Sequence, residues 1–228
     1  MKGPSNISAN VRPVLMSLVA ASLTVWATAA EVVVPPAAHH QASAAEETAD
    51  PQDALPAVTR SVVNYPVPAI RLVRDDGKNV ALIDELNDGR PVVLNFIYTT
   101  CTGICPLASH VFSQLQHQLG AERDQVHLVS ISVDAEEDTP ARLRAYAQQY
   151  SAGPSWQHYT GTVAASTAAQ RAFDTYKGDK MGHTPVTLVR TAPGGPWVRF
   201  DGFATAAMLL KELHGKGQIT AAVSSTRP

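Results

Sequence analysis

The sequence predicts an α/β domain in which buried strands alternate with helices, and three observations support this fold class. Residues 91–98 form an apolar, β-rich run long enough for one buried strand, and residues 126–133 form a second. Each run is followed by a helical pattern, at residues 107–119 and 140–150. This alternation is typical of parallel strands joined by right-handed helical crossovers.

Composition supports a globular domain with appendages. The chain has 228 residues, of which 45% are hydrophobic and 17% are charged, and its formal net charge is −2. Basic residues do not cluster as they do on nucleic-acid-binding surfaces, so the sequence predicts no nucleic-acid partner. Residues 60–214 are enough to bury a substantial core.

Residues 1–30 are predicted to be a targeting segment. Lys2 and Arg12 precede the apolar stretch at residues 14–30, and Ala-Thr-Ala at residues 27–29 is an acceptable cleavage site. A cleaved signal peptide and a retained membrane anchor both fit, because the apolar stretch is at the lower limit for a spanning helix. Both predict an extracytoplasmic domain, periplasmic or anchored facing the periplasm. A mitochondrial presequence, and hence the intermembrane space, is less favoured because it would be richer in Arg.

The segments on either side of the domain are predicted to lack structure. Residues 31–59 are rich in Ala and Pro, with few residues to bury, and predict a disordered linker. Residues 215–228 are polar and predict a flexible tail. The folded domain is therefore expected at residues 60–214.

The domain is predicted to open with a β-hairpin. Apolar stretches at residues 67–73 and 80–83 flank the turn Asp-Asp-Gly-Lys at residues 75–78, and a short helical turn follows at residues 83–86. The remaining elements are predicted as strands at 91–98, 126–133, 156–160, 186–190 and 197–200, and helices at 107–119, 140–150, 163–173 and 204–213. This order, closed by an antiparallel hairpin, predicts a thioredoxin-like sandwich with an N-terminal β-hairpin.

Helix-capping residues set the bounds of two of these helices. Gly120 ends the helix that follows the first buried strand. Asp138 or Thr139 is predicted as the N-cap of the next helix, with Pro140 at its first position.

The two cysteines of the chain, Cys101 and Cys105, directly follow the first buried strand. Because they are four residues apart, they would share one face of a helical first turn. The positive end of the helix is expected to lower the pKa of both thiols and to favour the thiolate. A structural disulfide here would contribute little, since it would close a loop of only three residues. A metal site and a redox-active dithiol remain as alternatives.

Three features together resemble the Sco/SenC family of copper chaperones for cytochrome c oxidase assembly. LNFIYTTCTGICP at residues 94–106 is similar to the family's strand followed by Cys-x-x-x-Cys-Pro. SISVDAEEDTPARLRAYA at residues 130–147 is similar to its strand, Asp-x-x-x-Asp-Thr-Pro and helix. His183 stands where the family keeps its copper-ligating histidine.

The resemblance implies that Cys101, Cys105 and His183 bind a copper ion, Cu(I) or Cu(II), in an extracytoplasmic domain that is often tethered by one membrane helix. The family delivers or prepares copper for the binuclear centre of oxidase subunit II, and some members act as thiol–disulfide reductases on that subunit's cysteines. The chemistry of the residues agrees, because Cu(I) is soft and prefers thiolate. Zinc would require a fourth protein ligand for a closed structural site, and the sequence indicates none.

One feature departs from the family. His183 is followed by Thr184-Pro185 just before a strand, as in thioredoxins proper, whereas the family's copper chaperones generally lack this proline. The departure favours thiol chemistry.

Other residues of interest receive structural interpretations. Asp134 is assigned to a strand end and Asp138 to a helix N-cap. Met181 offers a thioether to copper, although loop methionines usually serve packing. Four other histidines of the predicted domain are expected to lack a functional constellation: His110, which faces away from the cysteines, and His127, His158 and His214.

Two functions from different classes follow. The leading hypothesis is a copper metallochaperone whose partners are cytochrome c oxidase subunit II or another copper protein, and an upstream copper donor or thiol reductant. The rival is a thiol–disulfide oxidoreductase with Cys101 as nucleophile and Cys105 as resolving thiol. The cysteine spacing and His183 favour copper, whereas Thr184-Pro185 favours redox chemistry.

Overall fold

The computed structural model describes residues 57–215, which form one eight-stranded mixed sheet with helices on both faces. The strands are β1 Thr59–Val63, β2 Arg71–Arg74, β3 Asn79–Ala81, β4 Val92–Ile97, β5 His127–Ser132, β6 Trp156–Thr160, β7 Val186–Arg190 and β8 Trp197–Asp201. The helices are α1 Leu82–Leu86, α2 Ile104–Leu119, α3 Pro140–Gln149, α4 Val163–Ala172 and α5 Ala206–Gly215. Short 3-10 turns lie at Gly120–Gln125 and Lys180–Gly182.

The sheet has the strand order β1-β8-β7-β4-β5-β6-β2-β3. Strands β4, β5 and β6 run parallel, and every other neighbouring pair is antiparallel. Val92 pairs with His127 and Ile97 pairs with Ser132, so the parallel strands β4 and β5 begin at the same end of the sheet and also finish together at its opposite end. Because β7 runs antiparallel to β4, the loop that precedes β7 arrives where β4 ends. The topology therefore brings the cysteine segment and the His183 loop to the same end of the sheet, where β4 finishes.

The core lies on both faces of the sheet, and every residue of β4 and β5 is buried. Alternate residues of β4 contribute to different clusters, as expected for a strand covered on both faces. Val92, Leu94 and Phe96 pack with residues of α1 and α4. Val93 packs on the other face with residues of α2 and α5. Burial on both faces explains the continuous apolar run in the sequence.

The elements predicted from the hairpin to the last helix are confirmed, and their bounds shift by a few residues. The hairpin turns at Gly77, and α2 ends at Gly120, whose φ of +52° is in the left-handed region that favours glycine. Strand β1 was not predicted. It pairs with β8 at the sheet edge and begins at Thr59, inside the segment predicted as linker. Its side chains are largely exposed, so it carries little of the hydrophobic signal that marks the inner strands.

The predictions for the targeting segment, for most of the linker and for the tail concern residues 1–56 and 216–228, which lie outside the described residues. Within residues 57–215, none of the helices combines the length and the hydrophobicity needed to cross a membrane.

Candidate metal centre

The cysteine segment occupies the junction between β4 and α2. After Ile97 the chain turns, and the Cys101 amide donates to the Tyr98 carbonyl oxygen at 3.2 Å. Helix α2 begins at Ile104, so Cys105 is its second residue whereas Cys101 precedes it. The predicted helix start is confirmed for Cys105. Cys101 instead lies in the turn that leads into the helix.

Both cysteines are free thiols held side by side. The Cys105 backbone amide donates to the Cys101 Sγ atom at 3.4 Å. Cys105 is only 1% exposed, whereas Cys101 is half-buried. The Cys101 sulfur is therefore more accessible to solvent than the Cys105 sulfur.

The two thiols also differ in acidity, contrary to the prediction that the helix lowers the pKa of both. Burial alone would raise the pKa of Cys101, but hydrogen bonds from the Cys105 amide and thiol, the Gly103 amide and the Tyr98 hydroxyl outweigh it, and the pKa is lowered. Burial raises the pKa of Cys105 strongly, and the neighbouring Cys101 raises it further. The prediction is therefore wrong for Cys105, where loss of solvent exceeds the effect of the helix N-terminus.

Asp138 fixes the turn that carries the cysteines. Its carboxylate accepts hydrogen bonds from the Thr99 amide at 3.1 Å and the Thr99 hydroxyl at 2.5 Å, and a third from the Ser132 hydroxyl at 2.6 Å. Asp138 is 1% exposed, so these three donors take the place of the water molecules that hydrate an exposed carboxylate. The N-cap of α3 is Thr139, whose hydroxyl accepts from the Arg142 amide. Of the two predicted caps, Thr139 is therefore confirmed and Asp138 was wrong; the Asp138 carboxylate instead holds the cysteine turn.

Tyr98 lies against the cysteines, with its hydroxyl directed to the His183 loop. The hydroxyl donates to the Met181 Sδ atom at 3.9 Å and also interacts with the Cys101 thiol. Burial and then Cys101 raise the pKa of Tyr98 to about 12, so it remains a neutral donor. The Lys180 ammonium lies 5.9 Å from the ring centroid of Tyr98 and forms a 2.6 Å ion pair with Asp134. Asp134 thus anchors the loop as well as following β5.

His183 lies half-buried in the loop directly before β7. Its Nε2 atom is 3.0 Å from the Phe96 carbonyl oxygen. A carbonyl only accepts, so Nε2 carries the proton and Nδ1 keeps its lone pair. Burial lowers the pKa of His183, and the bond to Phe96 offsets this in part. The ring is therefore neutral at pH 7, which is the state that binds metals.

The structure brings the two cysteines together but does not close a three-ligand site. Within residues 57–215, no group of three or more His, Cys, Asp or Glu side chains is close enough to hold a metal ion. The donor types nevertheless fit copper, since two thiols and one neutral imidazole are soft and borderline ligands. The carbonyl bond to Nε2 is the contact that commonly orients a metal-binding histidine. Binding by all three residues therefore requires a rearrangement that brings the His183 ring and the two sulfurs closer together.

Three of the other histidines have polar neighbours that the sequence did not indicate. His127 is fully buried and contacts the Glu85 carbonyl oxygen, Asp88, Gln157 and Tyr159. His158 Nδ1 lies 3.7 Å from the Asp75 carboxylate, and His214 Nε2 lies 3.1 Å from that of Glu122. These neighbours come from distant parts of the chain, so single-sequence spacing does not reveal them.

Comparison with known proteins identifies the family of this chain. The SCO1/SenC family model matches residues 67–214. The SCO1 protein homolog of Bacillus subtilis is 37% identical over 100 residues, which are 43% of this chain and 51% of that protein. The chain thus aligns with about half the length of this curated relative.

Solved structures show the same fold. The structure of Bradyrhizobium japonicum ScoI with copper bound is 26% identical, has a TM-score of 0.54, and is matched over 63% of this chain and 94% of its own. The structure of BsSco is described as a Sco-family cytochrome c oxidase assembly protein with a disulfide switch. It is 25% identical, with a TM-score of 0.56 and coverages of 68% and 95%. The mixed sheet with its flanking helices is thus the thioredoxin-like Sco fold, and the chain belongs to the SCO1/SenC family.

Proposed function

We propose that this chain is an extracytoplasmic copper metallochaperone that holds copper through Cys101, Cys105 and His183. The observation that carries the proposal is the pair of free thiols directly after β4, at the end of the sheet that the loop bearing His183 also reaches, with the Nδ1 lone pair of His183 available. A copper-bound relative with the same fold supports it. We further propose that the ion is delivered to, or prepared for, the binuclear copper site of cytochrome c oxidase subunit II, although another copper protein is an alternative recipient.

Each ligand contributes a different property to the proposed site. Cys101 is the more accessible of the two cysteine sulfurs, while buried Cys105 shields the bound ion from solvent. Two thiolates suffice for Cu(I), whereas the imidazole adds the nitrogen that Cu(II) prefers. The proposed site therefore accommodates both oxidation states, with His183 more important for Cu(II).

Copper binding by the reduced full-length chain tests the proposal. We expect one copper ion per chain to survive mild chelation, and Cys101→Ser and Cys105→Ser each to abolish retention. His110→Ala is the matched control, because His110 is exposed on α2 and should leave retention unchanged. Retention of one ion by the double serine variant would reject the proposal.

A second candidate function is thiol–disulfide reduction, favoured by the unequal exposure of the two thiols and by the relative with a disulfide switch. The Cys101 sulfur would attack a partner disulfide, form a mixed disulfide and release one partner thiol. Cys105 would then attack Cys101, release the second partner thiol and leave a Cys101–Cys105 disulfide. The dithiol loses two electrons and two protons, which the partner gains, and an upstream thiol reductant restores it.

Trapping separates this function from copper binding. We expect Cys105→Ser to accumulate a mixed disulfide with a model peptide disulfide, since no resolving thiol remains. Cys101→Ser should form none, because Cys105 is buried. Equal trapping by the two variants would contradict the assignment of nucleophile and resolving thiol.

The proposed location is the periplasm, with the chain either released by cleavage near residue 30 or held by residues 1–30 as an anchor. A fusion of residues 1–60 to a reporter that is active only outside the cytoplasm tests this. Activity is expected, and a fusion without residues 1–30 should be inactive.

A further inference from the structure

We infer that Met181 is an auxiliary copper ligand, a thioether that receives Cu(I) at the surface and passes it to Cys101 and Cys105. The inference rests on the proposed copper-binding function and adds an entry point to it. The geometry around the Lys180–Gly182 turn carries the argument.

The turn that bears Met181 is fixed at three points. The Asp179 carboxylate accepts from the Met181 amide at 2.8 Å. The Lys180 ammonium is paired with Asp134 at 2.6 Å, and the His183 ring is bonded to the Phe96 carbonyl oxygen at 3.0 Å. The backbone on both sides of Met181 is therefore tied to the end of the sheet where the cysteines lie. Its side chain is held near them without itself being packed.

Packing does not account for Met181. Its side chain is 76% exposed, the largest value among the exposed large hydrophobic residues of the described chain. Burial of a methionine side chain stabilises a fold, and this position forgoes most of that contribution. The sulfur nevertheless has a specific neighbour, since Sδ accepts from the Tyr98 hydroxyl at 3.9 Å.

The Tyr98 side chain connects the thioether to the cysteines. Its hydroxyl donates to the Met181 Sδ atom, and Tyr98 belongs to the same apolar cluster as Cys105, against which Cys101 also packs. Tyr98 is 7% exposed, so this packing fixes its position. Met181 therefore contacts a side chain that is itself packed with both cysteines.

The chemistry of the thioether suits a transient ligand. It is neutral and soft, so it binds Cu(I) without losing a proton and holds it less firmly than a thiolate does. In the transfer, the bond from Cu(I) to Sδ breaks as bonds to the two Sγ atoms form. The thiol protons go to solvent, and no electron moves. Because Cu(II) prefers nitrogen and oxygen ligands, the role of Met181 is confined to Cu(I).

Methyl NMR with Ag(I), a soft ion without redox chemistry, tests the thioether directly. The protein is the full-length chain with both cysteines replaced by Ser and with 13C-methyl methionine. We expect Ag(I) to shift the Met181 methyl signal and to leave that of Met208, which is half-buried in α5, unchanged. No shift at Met181, or equal shifts at Met181 and Met208, would overturn the inference.

Loading kinetics provide a second test in the protein with native cysteines. With Cu(I) supplied as its bicinchoninate complex, we expect Met181→Leu to load about tenfold more slowly, at the lower end of what auxiliary groups contribute at metal sites. Met208→Leu is the matched control and should load at the wild-type rate. Equal rates for wild type and Met181→Leu would overturn the inference while the proposed function stands. Failure of the wild type to take up Cu(I) would instead reject the proposed function, and the Ag(I) result would still decide on Met181.

Discussion

His127 and His183 lie at opposite ends of the neighbouring parallel strands β4 and β5, and they differ in how their ring nitrogens are bonded. His127 opens β5 and is fully buried, with Nδ1 3.1 Å from the Glu85 carbonyl oxygen and Nε2 3.0 Å from the Gln157 Oε1 atom. His183 lies near the other end, where only Nε2 is bonded, to Phe96. Burial lowers the pKa of both rings.

The comparison shows that burial and pKa alone do not distinguish a structural histidine from a metal ligand. In His127, Nδ1 can donate to the Glu85 carbonyl oxygen while Nε2 accepts from the Tyr159 hydroxyl at 3.2 Å, so its lone pair is used. In His183, Nε2 donates to the Phe96 carbonyl oxygen and the Nδ1 lone pair remains available to an ion. By this criterion His127 supports the fold and His183 supports the site. The following predictions separate the two roles, beginning with the largest expected effect.

Stability should depend far more on His127 than on His183. We expect His127→Ala to lower the free energy of unfolding by about 3 kcal/mol, because it leaves a buried cavity and unpaired polar groups. His183→Ala should lower it by about 1 kcal/mol, the worth of one hydrogen bond. Urea unfolding of the full-length proteins measures both. Equal losses would show that the two rings do not differ in structural role.

Copper affinity should show the reverse order. We expect His183→Ala to weaken Cu(II) binding by about 30-fold, within the range for a lost group at a metal site, and Cu(I) binding less, since two thiolates satisfy the softer ion. His127→Ala, assayed where it remains folded, should bind both ions as the wild type does. Competitive titration with chelators of known affinity provides the measurement. Undiminished Cu(II) affinity in His183→Ala would remove this histidine from the site and favour the reductase.

The helices, every strand except β1 and the position of the cysteine pair could be predicted from the sequence because their signals are local. The apolar run at residues 91–98 and the capping residues Pro140 and Gly120 mark element bounds directly. The fixed hand of parallel crossovers then restricts the topology. The resemblance supplied His183 as a candidate, and the strand pairing places its loop at the end of β4.

What the sequence did not predict depends on contacts across the chain. The bond from Thr99 to Asp138 joins residues 39 positions apart, and His127 meets Glu85 across 42. Asp138 also satisfied a plausible local role as a cap, which concealed its actual one. The pKa of Cys105 could not be predicted either, because it depends on burial that only the packed structure reveals.

The substitution Asp138→Asn tests whether the Asp138 carboxylate fixes the turn that carries Cys101. We expect Asp138→Asn to lower stability by about 2 kcal/mol, since the neutral amide loses charge-assisted bonds from Thr99 and Ser132. The Cys101 turn should loosen, so its amide hydrogen should exchange faster than in the wild type. Glu137→Gln, on the exposed neighbouring residue, is the matched control and should change neither quantity. Unchanged exchange at Cys101 in Asp138→Asn would mean that the turn is fixed by other contacts.

The smallest expected effect is the pH dependence contributed by His127. Burial, and then the nearby Arg90, lower its pKa below the ordinary value of 6.5, against opposing effects of Asp88 and Glu85. The unfolded chain therefore binds a proton below pH 6.5 that the folded chain does not, so the contribution of His127 to stability is complete above that pH and is lost as the pH falls. Protonation of carboxylates also lowers the free energy of unfolding as the pH falls. The contribution of His127 is therefore measured as the difference in that loss between the wild type and His127→Gln. Between pH 6.5 and 5.5 we expect the wild type to lose about 0.5–1 kcal/mol more than the variant, below the limit of about 1.4 kcal/mol per pH unit for one group. Parallel losses would mean that the folded chain protonates His127 as readily as the unfolded chain, and a smaller loss in the wild type would mean that Asp88 and Glu85 outweigh burial.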